Sequence, residues 1–387
     1  MDNNRREAHK PFIKWAGGKE RELAIIHSNL PDNFDRYIEP FVGGGAVYFS
    51  LNKPNSIIND KSDELISLYK YIKSGNKDFF HHLKNLSKTW LLLEEIIISH
   101  KSELENIYFD YCSESEKKTI FSTKLKVKTE DKILEFVVQN AEEFNGLLEN
   151  NFNVCIDNYL SETKKSFCQK ISRMHKIEIE RGKLSREDDV INNIETAFKS
   201  AFYSHFRFLY NFRNELQISN EFASAIFYFI REHCYASMFR YNTNGKFNVP
   251  YGGMSYNKKS FVKKIDYMES SYLKGYMKHT KIYNLDFEVF CNQIDLSKED
   301  FIFLDPPYDT EFSTYTQNAF GEHDQARLAD FLKKIKSNFM LIIKNTELIN
   351  SLYSDSRFRI ESFDKKYLVS FKNRNNQNAE HLLIRNY

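Results

Sequence analysis

Phe301-Ile302-Phe303-Leu304 is an unbroken apolar run, closed on its far side by Asp305-Pro306-Pro307-Tyr308. Four such residues are too few for a helix and read as a buried central strand. Pro306 and Pro307 end it, because neither has a backbone N–H for a sheet ladder, and a proline keeps the residue before it extended. Shorter runs at Tyr37-Ile38-Glu39, Ser56-Ile57-Ile58-Asn59, Ile282-Tyr283 and Phe339–Lys344 predict further strands. A final strand pair is expected around Tyr367–Phe371 and His381–Ile384, joined by the polar connector Asn373–Asn378. Helical spacing marks Glu20–Asn29, Val47–Leu51, Glu64–Lys73 and Gln325–Lys336. Strands alternating with helices predict an α/β fold: a mostly parallel twisted sheet with helices on both faces.

From about Gly75 to Ile194 the pattern changes. The chain becomes rich in lysine, glutamate and asparagine, holds no proline, and keeps an intermittent helical period. This stretch reads as an inserted, mainly helical subdomain, with Glu94, Glu95, Glu142, Glu143, His81, His82 and His100 on solvated faces. Thr196–Asn211 and Phe222–Phe239 are aromatic and helical again, which predicts a return to a packed core.

Asp305 stands at the carboxyl end of its strand, the edge where open α/β sheets bind ligands. With the Pro306 carbonyl and the Tyr308 ring it offers acceptors beside an aromatic platform, suited to a planar ring with an exocyclic amino group. A strand that simply ends in a proline turn with an exposed Asp is the alternative. Two glycine-bearing loops join this site to a second chemistry. Phe12–Lys19 sets Gly17-Gly18 between Trp15 and Lys19 ahead of a helix, whose amino terminus favours an anion; an ordinary loop with a surface lysine fits the same residues. Tyr37–Ala46 gives strand, Gly43-Gly44-Gly45 and helix, the first half of a nucleotide-binding crossover. Asp60 closes the next strand, the usual place of a ribose-hydroxyl acceptor. The spacing is not G-x-G-x-x-G, no basic residue awaits a pyrophosphate, and no Gly-Lys-Ser/Thr follows. A nucleoside cofactor without phosphates fits better. Asp286, after the Ile282-Tyr283 strand and before Phe287, would accept from the adenine amino group of that cofactor.

Net charge is +2 in 387 residues and settles nothing alone, but its distribution does more. Arg231–Lys281 holds ten Lys/Arg against three acids, Glu232, Asp266 and Glu269. At its centre Asn244-Gly245, flanked by aromatic and β-branched residues, predicts a β-hairpin over 239–253. A basic hairpin rich in Asn and Tyr suits nucleic acid: lysines for phosphates, Arg and Asn for base edges, aromatics to wedge between bases. A merely solvated basic face is the plainer alternative. The five cysteines, Cys112, Cys155, Cys168, Cys234 and Cys291, have no Cys-x-x-Cys spacing, so neither a disulfide framework nor a metal site is expected. No apolar core follows Met1, and no run reaches membrane-spanning length, so a cytoplasmic protein with no membrane partner is expected.

Taken in order, these motifs resemble the Dam-like N6-adenine DNA methyltransferases. They are Lys14-Trp15-Ala16-Gly17-Gly18-Lys19, Glu39-Pro40-Phe41-Val42-Gly43-Gly44-Gly45, Asn59-Asp60, Gly245-Lys246-Phe247-Asn248-Val249-Pro250-Tyr251-Gly252 and Asp305-Pro306-Pro307-Tyr308. A weaker Tyr203…Arg207…Asn211 pattern agrees. Five motifs in one order are specific where each alone is weak. The resemblance covers about residues 11–75 and 196–387 and leaves 76–195 unexplained. It implies a Rossmann-like S-adenosylmethionine-dependent methyltransferase fold. Residues 1–75 and 282–387 would form the catalytic cofactor-binding domain, and 76–281 the helical insertion and DNA target-recognition region.

By the same resemblance, Asp305, Pro306, Pro307 and Tyr308 are catalytic. Trp15, Lys19, Asp60 and Asp305 contact S-adenosylmethionine, Gly43 and Gly45 shape its cradle, and Asp286 and Phe287 hold its adenine. Lys14 points toward DNA, Tyr235 is a wedge, and Arg240 and Asn242 face base edges. Lys246 and Pro250 in the hairpin and Lys258 and Lys259 after it complete the DNA surface. Where relatives that read GATC carry Tyr-Asn-Gly-Leu, this chain has Tyr235-Ala236-Ser237-Met238, as in relatives that serve restriction–modification systems with other sites. The implied reaction is methyl transfer to N6 of an adenine flipped out of double-stranded DNA, with no metal and no covalent intermediate. A cognate restriction endonuclease is the partner such a role would have. A cytosine-N4 methyltransferase would be expected to carry Ser in place of Asp305. A catalytically silent DNA-binding protein would be expected to have lost Asp305–Tyr308, Asp60 or Lys19.

Overall fold

The computed structural model describes residues 9–116, 122–145, 154–238, 240–253, 260–308, 320–366 and 378–387. Phe239, Lys258, Lys259, the stretch Tyr367–Phe371 and most of the Asn373–Asn378 connector lie outside them. In chain order the elements begin α1 (Leu23–Ser28), β1 (Arg36–Glu39), α2 (Ala46–Leu51), β2 (Ser56–Asn59) and α3 (Asp63–Ser74). Next come α4 (Lys77–Ser99), α5 (Lys101–Glu116), α6 (Ser122–Gln139), α7 (Ala141–Asn145), α8 (Ile156–Arg181), α9 (Glu187–Asn211) and α10 (Asn220–His233). Then follow α11 (Phe261–Glu269), α12 (Ser271–Met277), β3 (Lys281–Tyr283), α13 (Phe287–Gln293), β4 (Asp300–Leu304) and α14 (Glu322–Leu332). Last are β5 (Asn338–Lys344), α15 (Glu347–Leu352), β6 (Arg359–Lys366) and β7 (Asn378–Arg385). They divide into two compact units: Met1–Asn76, Phe239–Gly245 and Asp266–Tyr387 form the first, and Lys77–Met238 with Lys246–Ile265 the second.

The first unit is built on one seven-stranded sheet of order β3-β2-β1-β4-β5-β7-β6. All pairings from β3 to β5 are parallel, and β7 runs antiparallel to both β5 and β6. Every residue of β4 is buried, as its apolar run requires. Ile38, Ile302, Leu304, Leu341 and Ile343 point to one face, where Phe287 and Phe290 of α13, Leu328 and Leu332 of α14 and Ile349 of α15 cover them. Full burial of side chains this size contributes about 1.5–3 kcal/mol each. On the other face Tyr37 and Glu39 meet a tyrosine layer. There Tyr276 of α12 donates to the Tyr48 carbonyl of α2 at 2.6 Å, and the Tyr48 hydroxyl lies 2.7 Å from that of Thr280. A strand at Arg359–Lys366 directly precedes the expected stretch Tyr367–Phe371, which lies outside the described residues.

The second unit is helical, and two of its details depart from expectation. His82 is buried against Phe222 at 4.8 Å between ring centroids, so it is a core residue of α4 and not part of a solvated face. The helical pattern through Phe239 stops at His233. There Cys234 turns extended, and the buried Arg231 guanidinium donates to the Ser237 and Met238 carbonyls at 3.3 and 2.9 Å, holding a tight turn.

Of the hairpin expected over 239–253, Phe239 lies outside the described residues, and the rest keeps the expected turn, with single bridge positions at Tyr241 and Phe247 on either side of it. Asn242–Gly245 forms the turn, with Gly245 N–H donating to the Asn242 carbonyl at 2.9 Å, and the chain then runs on to a further, antiparallel bridge, Cys234↔Tyr251. Helix α9 holds the arm that follows the turn. Tyr203 and Arg207 donate to the Val249 carbonyl at 2.8 and 2.9 Å. Asn211 donates to the Phe247 carbonyl at 2.9 Å and accepts its N–H at 2.8 Å. Three side chains one helical turn apart thus satisfy backbone groups that a ladder would otherwise need. Among the described residues no helix is long and apolar enough to cross a membrane.

Candidate active site

The parallel strand order reverses between β1 and β4, and their carboxyl ends form the crevice where such sheets bind ligands. Asp305, the residue after β4, projects there and pairs with the Lys19 ammonium. That ammonium is almost fully buried and also donates to the Gly17 carbonyl at 2.8 Å and the Tyr308 hydroxyl at 3.1 Å. Lys19 therefore gathers the Gly-Gly loop, the carboxylate and the tyrosine into one cluster. A surface lysine is excluded. The Tyr308 ring packs edge-on against the buried His381 of β7 at 5.2 Å between centroids. Pro306 is buried and Pro307 exposed, and the Pro307 carbonyl accepts from the buried Gln325 amide of α14 at 3.0 Å.

The glycine turn after β1 is close-packed. Gly43 has φ +49°, and a Cβ there would stand 3.0 Å from Trp15 Cδ1. Gly45 has φ +75°, and a Cβ there would meet the Tyr69 hydroxyl at 2.5 Å. Only glycine meets both conditions. Asp60 fastens the turn: its carboxylate accepts Gly43 N–H at 3.0 Å and Ser62 N–H at 2.9 Å, so it bridges the turn to the start of α3. Burial raises the Asp60 pKa, against the lowering by the N–H groups of Ser62, Gly43 and Lys61. Asn59 reaches further: its amide donates to the Pro40 and Leu285 carbonyls, each at 3.0 Å, tying the ends of β1 and β3 together. Glu39 lies beneath, buried, with Tyr37 donating to it at 2.8 Å, and burial pushes its carboxyl well above the usual range.

Beyond β3, Asp286 caps α13 by accepting Glu288 N–H at 3.0 Å and is paired with Arg327 at 2.7 Å. Burial tends to raise its pKa, but the Arg327 guanidinium and the Glu288 and Val289 N–H groups outweigh that and hold it low. Arg327 also pairs with Glu288 and Asp324, and it lies 4.9 Å above the Phe287 ring. Phe287 is in the core, enclosed by Phe41 and Phe320 as well, so it forms the wall beneath Asp286 and offers no open ring face. A glycine turn without room for side chains, acids at the ends of β2 and β3, and a buried ammonium at the end of β4 fit a nucleoside cofactor that ends in an amino acid.

The residues assigned to DNA are distributed over both units. In the first, Lys14, Arg240 and Asn242 are exposed. In the second, Tyr235 is exposed and its N–H donates to the carbonyl of exposed Pro250 at 2.9 Å. Lys246 is half-buried with its ammonium 3.3 Å from the centre of the Phe212 ring. Lys258 and Lys259 lie outside the described residues. Of the basic segment, Arg231 is buried and Lys264 is paired with Glu232, so those two cations serve the fold. Ala236 and Ser237, standing where GATC-reading relatives carry Asn-Gly, have φ of 53° and 52°. Left-handed backbone costs an ordinary L-residue about 1–2 kcal/mol, and Asn and Gly adopt it most readily.

Arg327, Gln325 and Tyr69 support the site but were not singled out from the sequence, and Asn59 was named only as part of the Asn59-Asp60 motif, with no role of its own.

The D12 class N6 adenine-specific DNA methyltransferase family matches residues 15–195 and 174–369. The type II methyltransferase M.MjaIII of Methanocaldococcus jannaschii is 26% identical, over 98% of this chain and 99% of that protein. The type II methyltransferase M.CviBI of Paramecium bursaria Chlorella virus NC1A is 24% identical, over 98% of this chain and its own full length. The DNA adenine methylase of Haemophilus influenzae is 38% identical across a shorter stretch, 20% of this chain and 27% of that enzyme.

Proposed function

The chain belongs to the D12 class of N6 adenine-specific DNA methyltransferases, and from that premise we propose how its residues divide the reaction. The methyl donor is S-adenosylmethionine, which when bound supplies an electrophilic methyl group on a sulfonium. Asp60 binds its ribose hydroxyls, Asp286 its adenine amino group, and Lys19 and Trp15 its methionine end, with Gly43 and Gly45 leaving room for it. Phe287 supports Asp286 from below.

The target adenine must leave the duplex, at a cost of a few kcal/mol in stacking and pairing. Tyr308 stacks on the flipped base, while the Asp305 carboxylate and the Pro306 carbonyl accept its two N–H bonds. An aromatic amine is a poor nucleophile because its lone pair is delocalised into the ring. Two fixed acceptors favour a pyramidal nitrogen with its lone pair directed at the methyl group. The contribution is preorganised charge stabilisation plus orientation. One observation carries this assignment: Lys19 bonds Asp305, Tyr308 and the Gly17 carbonyl at once, so acceptor and stacking ring share an anchor. Lys14, Lys258 and Lys259 hold phosphates, Arg240 and Asn242 read bases, Tyr235 wedges between bases, and Lys246 and Pro250 complete the DNA surface. A restriction endonuclease cutting the same site is the partner, in keeping with the type II names of the full-length relatives.

The test is single-turnover transfer of labelled methyl groups to unmethylated duplex DNA, with the product nucleoside identified by mass. Asp305→Ala should lose about 100- to 1000-fold in rate, as loss of one preorganised partner does elsewhere. A rate within roughly tenfold of wild type would sink the assignment.

A further inference from the structure

In the second unit, helices α5 and α8 bring together three side chains that the methyl-transfer reading does not use. Cys112 lies on α5, and His175 and Glu178 lie one turn apart on α8. The Cys112 Sγ, one ring nitrogen of His175 and one carboxylate oxygen of Glu178 lie within 4.8 Å of one another. His175 is 95% buried, from its 5% exposure, and its Nε2 has no hydrogen-bond partner. An imidazole nitrogen left unpaired in a helical interior is costly and calls for an explanation. Glu178 is oriented from outside the cluster: Tyr108 donates to its Oε2 at 2.6 Å and Ser185 N–H to its Oε1 at 2.8 Å. Partners of that kind commonly fix the ligating groups of metal sites.

We propose that Cys112, His175 and Glu178 bind a divalent cation of the zinc class, which clips α5 to α8. One sulfur, one imidazole nitrogen and one carboxylate oxygen form a borderline-soft donor set, suited to zinc with a fourth position for water. Magnesium, which takes oxygen donors, is disfavoured. Binding breaks the Cys112 S–H bond, forms a metal–sulfur bond and releases the proton to solvent. The sequence hides such a site because its ligands come from two helices, so no Cys-x-x-Cys or His-x-His spacing announces it.

Cobalt(II) is the probe, added to the 387-residue protein after chelator treatment. One equivalent should bind with a thiolate-to-cobalt charge-transfer band, which zinc should bleach. Cys112→Ser should abolish the band, and Cys155→Ser, at an exposed cysteine, should keep it. His175→Gln should weaken cobalt binding by at least the roughly 10- to 100-fold that loss of an outer partner costs such sites. Because a variant can fail to fold, wild type is also melted with added zinc and with added magnesium, and only zinc should raise the midpoint. No band with excess cobalt in wild type, a band surviving Cys112→Ser, or equal effects of zinc and magnesium would each overturn the site.

Discussion

Lys19→Met keeps the apolar stem of the side chain and removes its ammonium. In the folded chain that group is 3% exposed and its partner Asp305 18% exposed. Breaking a buried ion pair from one side costs about 3–5 kcal/mol, because a charge is left without its partner. Water reaches the orphaned carboxylate through its exposed edge, so the lower end applies, about 3 kcal/mol. That figure includes the lost bonds to Gly17 and Tyr308, since the measurement removes all three at once. The rate should suffer equally: a reacting group displaced by about 1 Å costs roughly 100-fold, and Asp305 and Tyr308 lose a common anchor. Trp15 and Trp90, the two tryptophans, fall one in each unit, so a Trp90→Phe background reports urea unfolding of the first unit alone. Single-turnover methyl transfer, with enzyme in excess over DNA, gives the rate. Lys19→Met combined with Asp305→Asn should be less destabilised than the sum of the two changes, because the stranded charge is gone. A single variant within about 0.5 kcal/mol and about threefold of wild type would refute the shared anchor.

Asp60→Ala should lower cofactor affinity about ten- to 150-fold, the worth of a charge-assisted hydrogen bond, with a smaller effect on turnover; unchanged affinity by calorimetry would remove Asp60 from the site. His233 is held at about 4 by burial, against the raising effect of its bond to the Phe229 carbonyl. Since that lies below the unfolded value near 6.5, the stability it contributes is complete above about pH 6.5 and is lost as pH falls toward 4, about 3 kcal/mol in all. Trp90 packs on His233 at 4.7 Å and reports the loss by fluorescence in a Trp15→Phe background. His233→Phe should flatten that acid slope, and an unchanged slope would assign it to another group. Arg240→Ala should relax discrimination at one base pair by about 1–3 kcal/mol, whereas Lys258→Ala with Lys259→Ala should weaken all sequences alike and flatten the salt dependence. Binding to every single-base variant of the cognate site separates the two, and a uniform loss with Arg240→Ala would make that arginine a phosphate anchor.

The features legible in the sequence are those whose cause is local. An apolar run ended by two prolines could only be a buried strand cut short, and β4 is one. Three glycines between a strand and a helix marked a turn that side chains could not enter, and Trp15 and Tyr69 are what they would strike. What was hidden depends on residues far apart in the chain. Lys19 reads as any loop lysine until Asp305, 286 positions away, is folded against it. Arg327 sits on an amphipathic helix with nothing to separate it from its neighbours, yet it pairs with three acids. The direction of β7 was illegible because side-chain alternation is the same in both senses of a strand. In the 239–253 segment the Asn-Gly turn is local and was legible, whereas the grip of α9 on the arm after it depends on residues far away in the chain.

On the DNA-reading role proposed for it, that helix-held segment bears on how specificity can change. Tyr203, Arg207 and Asn211 grip main-chain atoms, which every residue supplies, rather than the side chains of the segment they hold. Phe247 and Val249 face inward, while Lys246, Asn248 and Pro250 alternate away from the core. A mutation at an outward position leaves the grip intact, so the wording of the message can be rewritten while the hand that holds the page stays still.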